Sequence, residues 1–258
     1  MRLTVLASGS GGNSMIVEAG ATTLLVDAGV PATTLDRQLA KAQIAARPTA
    51  IVVTHAHGDH CRHAAELSER WQVPVHCSSS TRRSVRLGGR RAPTVFASRS
   101  RFTVGDVEVD AMPIPHDVPQ VSLRFTHAGA SAVLATDLGD LPEGFTEHLA
   151  GCDVVLLESN HDAKMLWDGP YPFHLKRRVA GDRGHLSNAQ TGTALRSLDR
   201  RARDVVLMHL SETNNTPELA AAAAREALGD HPARLHVASQ WGITVVETGP
   251  PVQGVLFG

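Results

Sequence analysis

Ala50-Ile51-Val52-Val53-Thr54-His55-Ala56-His57-Gly58-Asp59-His60 is the stretch on which the reading turns. Four apolar residues form a short buried strand, and three imidazoles and a carboxylate then fall between positions 55 and 60. A strand-end loop can aim several side chains at one point, because layered α/β folds gather their ligand sites at strand ends. Imidazole nitrogen and carboxylate oxygen suit Zn²⁺, and also Mn²⁺ or Fe²⁺. Backbone alternation sets His55 and His57 apart from Asp59 and His60, so the run can serve two ions.

Outward from this stretch, short strands alternate with helices, with no internal repeat. Leu3–Ala7, Met15–Ala19 and Thr22–Val26 are β-rich runs separated by Gly11, Gly12 and Gly20, the pattern of an antiparallel meander. A helix is expected near Pro31–Ala42, another over Arg62–Trp71, and a strand over Val73–His76. Arg101–Ala111 and Val121–Ala135 read as two hairpins, the second turning at Ala128-Gly129. Val154–Glu158 and Val205–Met208 are apolar strands. Ser187-Asn188-Ala189-Gln190 has capping-box spacing and predicts a helix through Leu198. Thr216-Pro217-Glu218 starts an alanine-rich helix to Leu228, and strands at Leu235–Ala238 and Gly242–Val246 close the fold. Strands in groups and then alternating with helices, in both halves, predict an α/β four-layer αββα sandwich: two mixed sheets face to face with helices outside. No low-complexity linker divides the 258 residues, so 1–258 reads as one domain.

Composition narrows the class. A chain 42% hydrophobic and 20% charged is too apolar for disorder, and no run reaches the ~18 apolar residues of a membrane span. The opening residues carry no secretory cleavage pattern, and Cys61, Cys77 and Cys152 cannot all pair, so a cytoplasmic setting is expected. With 25 basic and 26 acidic residues the chain has no global attraction for polyanions, and any such partner must be held by a local patch.

The His-x-His-x-Asp-His run after a β-rich opening resembles the metallo-β-lactamase superfamily. The resemblance implies that the remaining ligands come from later strand ends, where His116, Asp137 and His209 each follow an apolar strand. It implies two divalent ions (Zn or Mn), one held by His55, His57, His116 and Asp137, the other by Asp59, His60, His209 and Asp137. A carboxylate bridging two cations ~3.5–4 Å apart supports a shared hydroxide as nucleophile near neutral pH and suits phosphodiester cleavage. Pro113-Ile114-Pro115 before His116 departs from the less constrained approach expected in the superfamily.

In the transfer-RNA 3′-processing endonucleases of this superfamily, a strand-end Glu orients a His that protonates the leaving oxygen. Glu158 and His185 match that pair in type and order, and the matching implies catalytic roles for both beside Asp59. Ala7–Ser14 (ASGSGGNS), Glu158-Ser159-Asn160-His161-Asp162, Tyr171-Pro172, Leu175-Lys176-Arg177-Arg178, Gly184-His185-Leu186-Ser187-Asn188 and His209-Leu210-Ser211-Glu212 with Asn214-Asn215 resemble the YycJ/WalJ family. That resemblance implies a stand-alone nuclease acting 5′→3′ on DNA. The 72 residues from Asp137 to His209 leave no room for the cap domain inserted in the RNase J and cleavage-factor branch.

Substrate contacts are expected from Ser10, Asn13, His161, Lys176, Arg177, Arg178 and Asn214. The glycine-rich Ser8–Ser14 could cradle a phosphate or simply turn a hairpin. From Arg70 to Gly105 there is no acidic residue and there are eight arginines, either a phosphate track or a solvated face. Trp167, Tyr171 and Phe173 gather three of the ten aromatic residues and could stack bases or pack a lid. The expectation is a dinuclear-metal phosphodiesterase on nucleic acid, with two alternatives: a small-molecule metallo-hydrolase, or a non-catalytic nucleic-acid-binding scaffold. No membrane partner is expected, and oligomeric state stays open.

Overall fold

The computed structural model describes residues 1–87 and 91–248; Arg90 of the basic stretch and the apolar tail 249–258 lie outside them. The chain opens with β1 (Arg2–Ala7), β2 (Ser14–Ala19) and β3 (Thr22–Val26), the expected antiparallel meander. The β2–β3 turn is made at Gly20, whose φ of +58° is open to glycine without a Cβ penalty. After α1 (Ala32–Lys41), β4 (Ala50–Val53) lies parallel to β3. Then come α2 (Gly58–Cys61), α3 (Ala64–Trp71), β5 (Val75–Ser78), α4 (Ser79–Ser84) and β6 (Thr94–Phe96). The two predicted hairpins are β7 (Ser100–Val104) with β8 (Val107–Ile114), and β9 (Gln120–His127) with β10 (Ala130–Ala135). The rest alternates: α5 (Phe145–Leu149), β11 (Val154–Glu158), α6 (Ala163–Asp168), α7 (Phe173–Val179), α8 (Asn188–Leu195), β12 (Asp204–Met208), α9 (Pro217–Leu228), β13 (Arg234–Val237) and β14 (Thr244–Glu247).

Two seven-stranded sheets result, ordered β14-β1-β2-β3-β4-β5-β6 and β13-β12-β11-β10-β9-β8-β7. Alternation along the strands sorts the core into layers. Leu24, Val26 and Val52 of the first sheet meet Leu123, Phe125, Leu134 and Leu156 of the second between the sheets. Leu25, Ile51 and Val53 point outward beneath Leu35 of α1 and Leu67 of α3. Val155, Leu157, Val205 and Leu207 do the same beneath Phe145, Leu195 and Ala220. This is the αββα sandwich that the sequence predicts.

The expected helix over Arg62–Trp71 is α3, starting two residues later at Ala64, and the one-turn α2 (Gly58–Cys61) precedes it within the ligand run. The carbonyls of Asp59 and His60 turn away to accept from Asn13 and Ala28, and His63 N donates to Ala28 O, so the two helices are parted at residues 62–63. β5 begins at Val75 rather than Val73, because Val73 closes α3 through Ser68 and Pro74 has no N–H to pair. The Ser187–Gln190 capping box is present, but α8 stops at Leu195 and its end tightens into three-residue bonds at Ser197 and Leu198. The short helices α4 to α7 carry no strong apolar periodicity and were not foreseen.

His148 on α5 is buried, within 3.1 Å of Ser122 Oγ, and burial lowers its pKa to about 4. Its unfolded value is near 6.5, so the unfolded chain binds the extra proton first. Stability is therefore full above pH 6.5 and falls by up to about 3 kcal/mol toward pH 4. Urea unfolding across that window should show a shallower pH slope for His148→Asn than for the wild type.

Candidate metal centre

Both sheets deliver side chains to one rim. β3 and β4 are parallel, so Asp27 and the 54–60 run leave the first sheet side by side. β10, β11 and β12 are parallel, and β8 shares their direction through β9, so His116, Asp137, Glu158 and His209 emerge from the same edge of the second. Asp27, Asp137 and His209 hold left-handed φ values of 60°, 57° and 53°, uncommon for residues with a Cβ and frequent at functional sites. Gly29 lets the loop after β3 lie against the ligand turn, since a Cβ there would stand 1.7 Å from Asp59 O.

The ligating atoms form two groups whose members lie within 4.8 Å of one another: His55, His57 and His116, then Asp59, His60, Asp137 and His209. In the second, His60 Nε2 is 3.1 Å from Asp137 Oδ2 and 3.5 Å from Asp59 Oδ2, and His209 Nε2 is 3.7 Å from Asp59 Oδ2. In the first, His116 Nε2 is 3.2 Å from His57 Nδ1, while its Nδ1 donates to Gly184 O at 3.1 Å and so fixes the ring. The prolines before His116 therefore do not turn it away. Asp137 clusters with the second group; it is not within the first.

A third group of Asp137, Glu158, His185 and His209 overlaps the second. Its hub is Glu158, fully buried, which accepts from His185 Nδ1 at 2.9 Å and His209 Nδ1 at 3.0 Å. Its other oxygen accepts from the backbone N–H of Leu138 and Leu186. With both oxygens engaged, Glu158 orients imidazoles and has little left for an ion.

Charge in the site is balanced by protons. Burial opposes the charged form of His209, but Asp137, Asp59 and Glu158 outweigh it and raise its pKa to about 10. Burial likewise opposes charge on His60 and His185, and Asp137 with Asp27 for the first, and Glu158 for the second, push them up. Burial alone would raise Glu158; His185 and His209 bring it down to about 2 instead. Burial, together with His60, holds His55 well below its usual value. Three carboxylates thus keep their charge by holding imidazolium partners, a place where cations can displace protons.

The donor set fits divalent cations on a further count. His55 Nε2 and His209 Nε2 are buried without a hydrogen-bond partner, an arrangement costing ~1–3 kcal/mol each unless a cation takes the lone pairs. Imidazole and carboxylate donors are those of Zn²⁺ and Mn²⁺ sites.

The match to the beta-lactamase superfamily domain spans residues 22–210, from β3 through the His209 loop. The chain belongs to that superfamily, in its WalJ/YycJ branch. Exodeoxyribonuclease WalJ of Streptococcus pneumoniae is 33% identical over 231 residues, 85% of either chain. Exodeoxyribonuclease YycJ of Bacillus anthracis is 30% identical over 235 residues, 88% of this chain and 89% of its own. The metallo-beta-lactamase fold protein YhfI of Bacillus subtilis shares the fold with a TM-score of 0.73 at 16% identity, over 95% of this chain and 99% of its own. The protein is a metallo-hydrolase of this fold.

The residues expected against substrate divide. Ser10, Arg177 and Arg178 are exposed, whereas Asn13, His161 and Asn214 are buried and cannot reach a strand. Asn13 instead supports the ligand turn: its Oδ1 accepts from Gly9 N and its Nδ2 donates to Asp59 Oδ2 at 3.3 Å. The phosphate cradle fails for the same reason, since the amides of Gly9, Gly11, Gly12 and Asn13 all have partners inside the protein. Burial lowers His161 to about 4. Burial also raises the Cys61 thiol to about 11, which removes it as a thiolate ligand. Arg70 pairs with Asp36, and Arg101 with Glu108 and Asp110, so the basic stretch is not one continuous free patch.

Two residues escaped the sequence reading. Asp27 accepts from His60 Nδ1 at 2.7 Å and from Thr54 N and Oγ1, fixing the ligand run from the first sheet. Its signal was a carboxylate ending an apolar strand, the same one that singled out Asp137 and Glu158. Asp117 places Oδ1 3.1 Å from His57 Nε2 and 3.3 Å from His116 Nε2, and Oδ2 2.5 Å from Arg178. Its adjacency to His116 was the available clue.

No helix among the described residues is long and apolar enough to cross a membrane.

Removing the Asp27 carboxylate frees the His60 ring. Asp27→Ala should weaken divalent-ion binding by about 10–100-fold in chelator competition, with Zn²⁺-dependent thermal stabilisation reduced in parallel.

Proposed function

We propose that this chain is a dinuclear-metal exodeoxyribonuclease degrading DNA from the 5′ end, with residues 1–258 working as one catalytic unit and no inserted cap. The observation that carries the reading is the Glu158–His185 pair beside the two ligand groups: an imidazole held at 2.9 Å by a buried carboxylate that raises its pKa, set against atoms suited to cations. The exodeoxyribonuclease names of two relatives at 30–33% identity support the substrate class.

His55, His57 and His116 would hold one ion, and Asp59, His60, Asp137 and His209 the other. Bound there, the ions would supply Lewis acidity toward the phosphodiester and an activated water near neutral pH. Glu158, ionised, can only accept, so His185 Nδ1 carries a hydrogen and Nε2 is the atom left to face substrate. The raised pKa keeps that nitrogen protonated, as a general acid for the departing oxygen requires. Asp59, held anionic against burial by His209, keeps the second cluster negative. The free, buried thiols of Cys61, Cys77 and Cys152 accord with a reducing cytoplasmic setting.

Purified protein with Zn²⁺ or Mn²⁺ should release mononucleotides from 3′-labelled and 5′-labelled DNA in the order that a 5′ start dictates. Rapid hydrolysis of a thioester with DNA untouched would overturn the reading. His185→Ala should slow oligonucleotide cleavage by about 10²–10⁴-fold. Hydrolysis of bis-p-nitrophenyl phosphate, whose leaving group needs no proton, should change far less; equal losses would remove the general-acid role.

A further inference from the structure

The segment from α6 to α7 stands apart from the rest of the fold in what it leaves uncovered. α7 buries none of its residues, so the core does not explain why the chain forms a helix there. Trp167 is 46% exposed and Phe173 67%, with ring centroids 6.2 Å apart, although exposing two such rings side by side forfeits burial energy. Between Gly169 and Gly181 there is no acidic residue, while Lys176, Arg177 and Arg178 follow in series. The nearby Asp168 is taken up by Lys164.

The geometry joins this surface to the metal centre. Phe173, Lys176 and Arg177 fall at i, i+3 and i+4 and share one helix face. Lys176 Nζ donates to Trp167 O at 2.7 Å, which clips α7 to the end of α6 and holds the two rings together. Arg177 is exposed and has no hydrogen-bond or ion-pair partner among the described residues. Arg178 turns the other way, to Asp117, whose carboxylate also touches His57 and His116. One carboxylate therefore separates the basic helix from the first ligand group.

We propose that Trp167, Phe173 and Arg177 form a stacking platform for single-stranded DNA entering the metal centre, a specificity element that rests on the nuclease reading above. Aromatic faces accept any base, and an unpartnered guanidinium beside them takes the phosphate between bases. A duplex, its bases already stacked, gains nothing from the rings. The site would thus favour frayed or single-stranded ends, and the Arg178–Asp117 pair fixes the platform against the site.

The test uses the full chain stripped of metal by chelator, so that binding is read without turnover. Anisotropy of a fluorescent oligothymidylate should show Trp167→Ala and Phe173→Ala each weakening affinity about tenfold or more. Phe173→Trp should retain it, and Arg177→Ala should lower the slope of log affinity against log salt by about one. Phe173 and Arg177 stand exposed on a helix with no fully buried residue, so their variants should keep the wild-type thermal midpoint, while Trp167, half-buried on α6, is checked against its own midpoint. A blunt hairpin duplex should bind all variants alike. Unchanged oligothymidylate affinity in both alanine variants, with the wild type still degrading DNA, overturns the platform and leaves the nuclease reading standing. Equal weakening toward single strand and duplex overturns the single-strand assignment. A wild type that neither binds nor cleaves any oligonucleotide overturns both.

Discussion

One buried carboxylate holds the rim of the second sheet together at the candidate metal centre. Glu158 ends β11 with no solvent exposure and accepts from two imidazoles and two backbone N–H groups. Through Leu138 it fixes the turn that carries Asp137, through Leu186 the turn that carries His185, and it grips His209 directly. A charged group in that position is tolerable only because every lone pair has a donor. The same requirement makes the three loops interdependent: moving any one would strand a buried charge.

The first sheet uses the same device. Asp27 ends β3 and accepts from His60 and Thr54, and Thr54 Oγ1 in turn lies 3.0 Å from His55 Nδ1. Each sheet therefore contributes a carboxylate that aims imidazoles instead of chelating with all its oxygens. The ring atoms turned away from these carboxylates include the buried, unpartnered Nε2 atoms of His55 and His209. Electrostatic need and ligand geometry coincide there: the cluster's negative charge is offset by imidazolium protons until cations replace them. On the open side, Asp117 and Arg178 tie the rim to α7, so that segment's exposed aromatic and basic residues are joined to the candidate metal centre.

Much of this was legible in the residues. The ligand run after β4, the strand-end positions of His116, Asp137 and His209, the Glu158–His185 pair and the capping box at Ser187 all rest on local pattern. Substrate contacts were read less well. Asn13, His161 and Asn214 stand within motif strings yet are buried, because a polar residue beside a ligand loop serves as well to satisfy backbone groups as to meet a partner. Arg178 carries the charge expected of a phosphate contact, but the chain supplies Asp117 as its partner from 61 positions away. Asp27 acquires its role from His60 and Thr54, and Asp117 from His57 and Arg178 as well as its neighbour His116, partners that local pattern alone does not bring together.

The sequence by itself determined the layers, the strand order of the opening meander, the identity of the donor atoms and the rim on which they gather. These follow from periodicity, from turn chemistry and from the rule that parallel strands end on one side. Only the tertiary structure decided which carboxylates stand among the clustered donor atoms and which are taken up in orienting imidazoles, which polar residues face solvent, and that α7 leaves its aromatic and basic face open. Those outcomes depend on through-space hydrogen bonds and on burial, and neither is encoded in any single stretch of neighbouring residues.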